Sequence, residues 1–302
     1  VYNPEKMRDV SILIKTFERP QCLERLLSSI ERSGWLGPVW IADDSRIPQR
    51  DRVIARYAKM VTGYLCMPFD SGLSAGRNLL LRHVNTPYLV LCDDDFIFDD
   101  RTDMNRFLEL LESSGLDLIG GVYYDRMDPS RRRAAAALLR LDWWRLLLRL
   151  GVEIPRKTYF NFEPCGGHRW RLTDIAYTPP VVHCDFVSNF FLARTGRLID
   201  TVGGWDGSLK VGDHQDFFFK AKKAGLRVGH TEEVGVLHLM ELPPLFSEFR
   251  ARGPAMIPKM FAGATPLQRL RRTLERWRVI WKRRGRKRSR GEPAPGREPG
   301  TS

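Results

Sequence analysis

The stretch VLCDDDFIF, Val90–Phe98, ends an apolar run in three consecutive carboxylates and then turns apolar again. Like charges repel, so a folded chain gathers three of them only for a reason. An oxygen-preferring divalent ion would offset the repulsion and hold a diphosphate at the same time. A solvated loop with a helix cap would account for the same letters, and a bare D-x-D is common. The surroundings favour a site: PYLVLCDDD has the composition of a strand, and Phe96, Ile97 and Phe98 hold the acids at a sheet edge.

Outward from this strand the chain alternates between two periods. DVSILIKT and PVWIADDS read as strands, and QCLERLLSSIERS between them carries leucine and isoleucine at helical spacing. A helical stretch over 50–59, a strand near TGYLCMP and a helix in SGLSAGRNLLLRHV, with Ser74 as its cap, lead up to the acids. The helix DMNRFLELLESSG and the strand LDLIGGVYY follow. This alternation predicts an α/β fold, a mainly parallel sheet with helices on both faces, and ligands at the carboxyl ends of its strands. Polar clusters fall at those ends: Thr16 to Arg19, Asp43 to Ser45 and Asp93 to Asp95. Later, YFNFEPCGGHRWRLTD reads as a hairpin, VVHCDFVSNFFLART as buried strands, GDHQDFFFKAKKAG as a helix and RVGHTEEVGVLHL as closing strands.

The 302 residues, 43% of them hydrophobic, suffice for a full core. The net charge of +13 is concentrated in one place: twelve Lys and Arg lie between Gln268 and Arg290 against the single acid Glu275. The body is therefore close to neutral, which argues against a general nucleic-acid surface. Five cysteines without metal-type spacing predict reduced thiols and a cytoplasmic protein, with Cys66 and Cys92 inside apolar runs; a Cys165–Cys184 disulfide is the secretory alternative. The first residues are too polar for a signal peptide, and no uninterrupted apolar run reaches the length of a membrane span.

Several residues can carry chemistry. Asp44 can accept from a base N–H or a ribose hydroxyl, or cap a helix. In SAGRN, Gly76 admits close backbone approach, while Arg77 and Asn78 offer donors to a phosphate or a base edge. In GGWDGSL, Trp205 can stack on a sugar face and Asp206 can accept from hydroxyls. Asp213, His214 and Asp216 fall within one helical turn, where one acid can act as a general base or both can serve the helix dipole. His238 is either a core histidine or a further metal ligand beside the acids.

Taken in order, IKTFERP, IADDS, MPFDSGLSAGRNLL, DDDFIF, LDLIGGV, NFFLART and HQDFF resemble the GT-A fold nucleotide-sugar glycosyltransferases, and in particular the β-1,4-N-acetylgalactosaminyltransferase family that includes ganglioside-making enzymes. The likeness runs from about Val10 to Leu239. It implies a GT-A, Rossmann-like fold and an inverting transfer of a sugar, GalNAc among the candidates, from a UDP-sugar to a glycan or glycolipid hydroxyl with Mn²⁺ or Mg²⁺. By the same resemblance Asp95 and His238 would ligate the metal, and Asp93 would face the ribose with Asp94 beside it. Lys15, Thr16, Phe17 and Asp44 would line the uracil pocket with Arg77 close by, Arg77 also stabilising the departing diphosphate. Asp216 would be the base in preference to Asp213, and Gly204, Trp205, Asp206 and His214 would serve the acceptor and sugar.

The expected organisation is one domain over 1–264, with a nucleotide-binding half 1–124 and an acceptor and catalytic half 125–264. A basic amphipathic helix, 265–290, and a disordered tail, 291–302, follow. Leu270, Leu274, Trp277 and Trp281 share one face of that helix, with arginines around them, which suits an anionic membrane surface or a solvated charge run. Arg131 to Leu150 reads as a second amphipathic helix with a basic edge, for the core or for a membrane or acceptor. The expected location is cytoplasmic and peripheral to a membrane, or the Golgi lumen for a fragment that lacks its anchor. The resemblance leaves two other classes open, a nucleotidyltransferase and a non-catalytic binding protein tethered to membrane or RNA.

Overall fold

The structure, a computed structural model, describes residues 4–127, 153–166, 169–210, 213–240 and 248–249. The Arg131 to Leu150 segment and everything from residue 265 on lie outside the described residues, and so do the readings made of them. After a short helix, α1 (Pro4–Met7), come β1 (Val10–Thr16), α2 (Pro20–Arg32), β2 (Val39–Asp43), β3 (Gly63–Cys66), α3 (Leu73–Leu81), β4 (Tyr88–Asp93), β5 (Phe96–Ile97) and α4 (Met104–Ser113). The chain continues through β6 (Leu118–Met127), β7 (Ile154–Arg156), β8 (Tyr159–Pro164), β9 (Trp170–Thr173), β10 (Val182–His183), β11 (Phe186–Val187) and β12 (Phe191–Arg194). It closes with α5 (Thr195–Val202), α6 (Asp213–Lys223) and β13 (Val228–Met240).

The main sheet runs β10-β13-β6-β12-β4-β1-β2-β3. From β4 through β1 and β2 to β3 all pairings are parallel, as the alternation predicted. The other half is mixed: β12 lies antiparallel to both β4 and β6, while β13 is parallel to β6 and antiparallel to β10 and β5. β8 and β9 form the expected hairpin and pair with β11 in a smaller sheet. The expected helix over 50–59 is reduced to a 3₁₀ turn, Ile54–Tyr57.

Local sequence explains the elements. β1 is buried throughout because it lies between two parallel neighbours and under helices on both faces, so it carries no polar alternation. Its period of two still sorts the core: Ile12 and Ile14 join α2 and α4 on one face, and Leu13 joins Leu80, Phe217 and Phe218 on the other. Pro20 opens α2 at a position where its missing N–H costs nothing. Asp103 caps α4 by accepting from the Arg106 N–H at 2.9 Å. At α3 the cap is Gly72, with φ of 102°, rather than Ser74, which is buried within the helix. None of the five cysteines is in a disulfide; Cys22, Cys92 and Cys184 are buried, whereas Cys66 and Cys165 are exposed. Among the described residues no helix is long and apolar enough to cross a membrane.

His230 on β13 is fully buried and stacked on Tyr159 at 4.2 Å, and neither ring nitrogen has a hydrogen-bond partner among the described residues. Burial, with Lys157 adding to it, pushes its pKa down to about 3. The folded-state value lies below the unfolded one, so this contribution is complete above the unfolded pKa of about 6.5 and is lost as pH falls. Lowering pH from 7 to 5 should therefore cost about 2 kcal/mol from this group. Urea titrations of wild type and His230→Phe at the two pH values check this; equal pH dependence in both proteins would refute it.

Candidate active site

The register of the parallel strands brings the polar clusters together. Lys15 pairs with Asp93 across β1 and β4, and Thr16 pairs with Asp43 across β1 and β2, so three strand ends meet at one edge. There the acids find their cations within the protein. Arg19, just after β1, bonds Asp94 and, at 2.7 Å, Asp95. Thr16 Oγ1 donates to Asp94 at 2.7 Å. Asp93, the most accessible of the three with 26% of its side chain exposed, takes Arg77 Nη2 at 3.2 Å and Asn189 Nδ2 at 2.6 Å.

His238 completes the group. Antiparallel pairing with β5 sets it opposite Phe96, and parallel pairing with β6 sets it beside Asp125. Its Nδ1 is 2.8 Å from Asp125 Oδ1, and its Nε2 is 3.5 Å from Asp95 Oδ2. Burial alone would lower its pKa, but the flanking Asp95 and Asp125 lift it to about 10. At Asp94 burial pushes the pKa up, offset only in part by Arg19. At Asp95 burial is outweighed by Arg19 and His238, which hold the carboxyl below the usual range.

A divalent ion fits this donor set in a limited way. One carboxylate oxygen and one imidazole nitrogen face each other, and the other ring nitrogen is fixed by Asp125, as is usual for a ligating histidine. Among the described residues no group of three acid, histidine or cysteine side chains forms a metal site. The pair therefore suits an ion that draws its remaining ligands from phosphates and water, as Mg²⁺ commonly does.

The other expected ligand residues have partners within the protein. Lys15 is covered by α3 and paired with Asp44, and a Cβ on Gly76 would fall inside contact distance of the Lys15 chain, so glycine is needed there for close packing. Asp44 is fully buried; it accepts from Lys15 and from the Gly72 N–H at 2.8 Å, which fixes the start of α3. Phe17 packs against Phe69 at 5.7 Å, leaving Phe69 as the exposed ring. Arg77 is only 1% exposed and bridges Asp213 at 2.5 Å and Asp93. Trp205 keeps 5% of its surface and stacks on Phe217 at 4.5 Å.

Gly204, with φ of 122°, lies against the Asn78 side chain, which bonds the Trp205 backbone on both sides. Asp206 is bonded to Ser208. Asp213 is buried; burial would raise its pKa, but Arg77 more than compensates and holds it low. Asp216 is partly accessible and ion-paired with Lys220 at 2.8 Å, one turn on. Sequence reasoning missed Arg19, Asn189 and Asp125. For Arg19 there was a signal, a lone cation in the polar cluster that ends β1.

Comparison with known proteins agrees with this architecture. The model of the family described as glycosyl transferase family 2 matches residues 11–171. Human β-1,4 N-acetylgalactosaminyltransferase 1 is 36% identical over 233 residues, covering 77% of this chain and 39% of that protein. Mouse β-1,4 N-acetylgalactosaminyltransferase 2 is 30% identical over 253 residues, covering 81% and 42%. The chain thus spans about two fifths of the length of these curated relatives. Among solved structures, GalNAc-T7 with UDP, GalNAc and Mn²⁺ superposes with a TM-score of 0.58 at 12% identity, covering 77% of this chain and 44% of that one. S. aureus TarS 1-349 in complex with UDP-GlcNAc gives 0.54 at 14%, covering 79% and 60%. At these identities the likeness is one of fold, and the fold is GT-A. Since the matched span runs from β1 through the three aspartates to the β8–β9 hairpin, the chain belongs to glycosyl transferase family 2.

Proposed function

We propose that this chain is an inverting, metal-dependent glycosyltransferase that moves a sugar, GalNAc among the candidates, from a UDP-sugar to a hydroxyl of a glycan or glycolipid. The observation that carries the reading is the Asp95–His238 pair, 3.5 Å apart at the carboxyl end of β4 with its imidazole held by Asp125. Its support from relatives is twofold: the named GalNAc-transferases, and fold neighbours whose structures contain UDP with Mn²⁺ or UDP-GlcNAc.

Asp95 and His238 would hold the ion, which when bound would supply positive charge to the departing diphosphate. Arg19 keeps Asp94 and Asp95 in place, and Asp93, the accessible acid, is positioned by Arg77 and Asn189 for a ribose hydroxyl. Phe69, 40% exposed and packed on Phe17 just after β1, would offer a ring for a base. Attack from the face opposite the leaving group needs a proton acceptor at the acceptor hydroxyl, and the first turn of α6 carries the candidates.

A UDP-sugar panel with and without Mn²⁺ tests the reading. The expected result is UDP release from at least one donor, thermal stabilisation by UDP only when Mn²⁺ is present, and a product of inverted configuration. Release of pyrophosphate, or a retained configuration, would count against it.

A further inference from the structure

The first turn of α6 contains, besides Asp216, the adjacent pair Asp213 and His214. Asp213 is 1% exposed and its Oδ2 is held by Arg77 at 2.5 Å. Its Oδ1 is buried and has no hydrogen-bond partner among the described residues. The nearest nitrogen of the next residue, His214 Nδ1, lies 4.0 Å from that oxygen, and the His214 side chain keeps 27% of its surface. That gap is too long for a hydrogen bond; closed on substrate binding, a buried carboxylate behind a partly exposed imidazole would fix the ring tautomer and stabilise the imidazolium that forms on protonation. In ligand-free structures such bonds are often long and tighten when substrate binds.

We propose that His214, oriented by Asp213, is the general base that deprotonates the acceptor hydroxyl. The assignment rests on the transferase reading above and deepens it. Three observations carry it. Arg77 ties Asp213 to Asp93, so the pair sits one guanidinium away from the donor acids. Asp216 is ion-paired with Lys220 at 2.8 Å, and that lysine also approaches Asp206 at 3.9 Å, so the Asp216 charge is already matched within the protein. Burial, against the pull of Asp213, keeps the His214 pKa below its ordinary value, so the ring is neutral and able to accept a proton.

The step balances simply. His214 Nε2 takes the proton of the acceptor O–H, and the freed oxygen pair forms the new bond to the anomeric carbon. The bond from that carbon to the diphosphate oxygen breaks, its electron pair leaving on UDP. The imidazolium then returns its proton to water. Asp213 touches no substrate and is a positioning residue, as is Arg77 behind it.

The test compares wild type, His214→Ala, His214→Gln and Asp216→Asn on the donor that wild type uses. The expected result is a loss of about 10²-fold in kcat for both His214 variants, the scale of general-base catalysis. Their UDP affinity in Mn²⁺ and their melting temperatures should stay close to wild type, and added imidazole should restore at least tenfold of the His214→Ala activity. Turnover by the His214 variants within threefold of wild type overturns the assignment, as does a loss confined to Asp216→Asn. Wild type that releases no UDP from any donor overturns the transferase reading itself, so the two failures are distinct.

Discussion

Arg77→Met is expected to destabilise the protein by about 3–5 kcal/mol, the cost of leaving a buried charge without its partner. Asp213 is buried at 1% exposure, and its strongest contact is the 2.5 Å bond to Arg77. The same guanidinium reaches Asp93 at 3.2 Å and lies 5.6 Å from the centre of the Trp205 ring. Methionine replaces most of the volume and can still pack on the indole, so the loss reports charge compensation more than a cavity. For a unit of this size the melting temperature should fall on the order of 10 °C. Arg77→Lys should recover little, since an ammonium group cannot reach two carboxylates through a planar fork. The decisive comparison is Arg77→Met combined with Asp213→Leu, which removes the stranded charge. The double variant should be more stable than Arg77→Met alone, a non-additivity of about 2 kcal/mol. Additive losses would mean that the pair is not coupled as described.

Asp95→Asn is expected to lower kcat/KM for the UDP-sugar by about 10³-fold or more, the several kcal/mol that metal-assisted charge stabilisation supplies. The substitution keeps shape and removes one charge. Asp95 Oδ2 is the oxygen that faces His238 Nε2, and Arg19 Nη1 reaches it at 2.7 Å. Losing it should abolish the thermal stabilisation that UDP gives in the presence of Mn²⁺. Without ligands the variant should itself melt below wild type, because the pairing of Asp95 with Arg19 and His238 outweighs the repulsion among the acids, so the readout is the further shift on adding UDP and Mn²⁺ to each protein. Preserved Mn²⁺-dependent stabilisation together with turnover within tenfold of wild type would remove Asp95 from the site.

These expectations depend on contacts of very different legibility. β1, α2 and α4 could be read directly, since buried strands and amphipathic helices write their environment into local period. The insertion of β12 between β4 and β6 could not, because pairing across 100 residues leaves no local mark. The site shows the same division. Its acids were visible as an anomaly in an apolar run, and the family likeness linked them to His238. The burial of Lys15 against Asp44, and of Arg77 against Asp213, was not visible, because a charged side chain in isolation reads as a ligand contact. Only the fold reveals that its partner, 29 or 136 positions away, has already claimed it.

The placement of β12 also bears on how such a chain can be altered. The strand that ends in the aspartates has a neighbour from before it, β1, on one edge and a neighbour from far downstream, β12, on the other. Severing the polypeptide near residue 125 would strip backbone partners from β4 and β6 together and leave two raw ladders prone to sticking. The two halves of the chain are thus not interchangeable modules, and altering this scaffold calls for editing connecting loops while every strand stays in one piece.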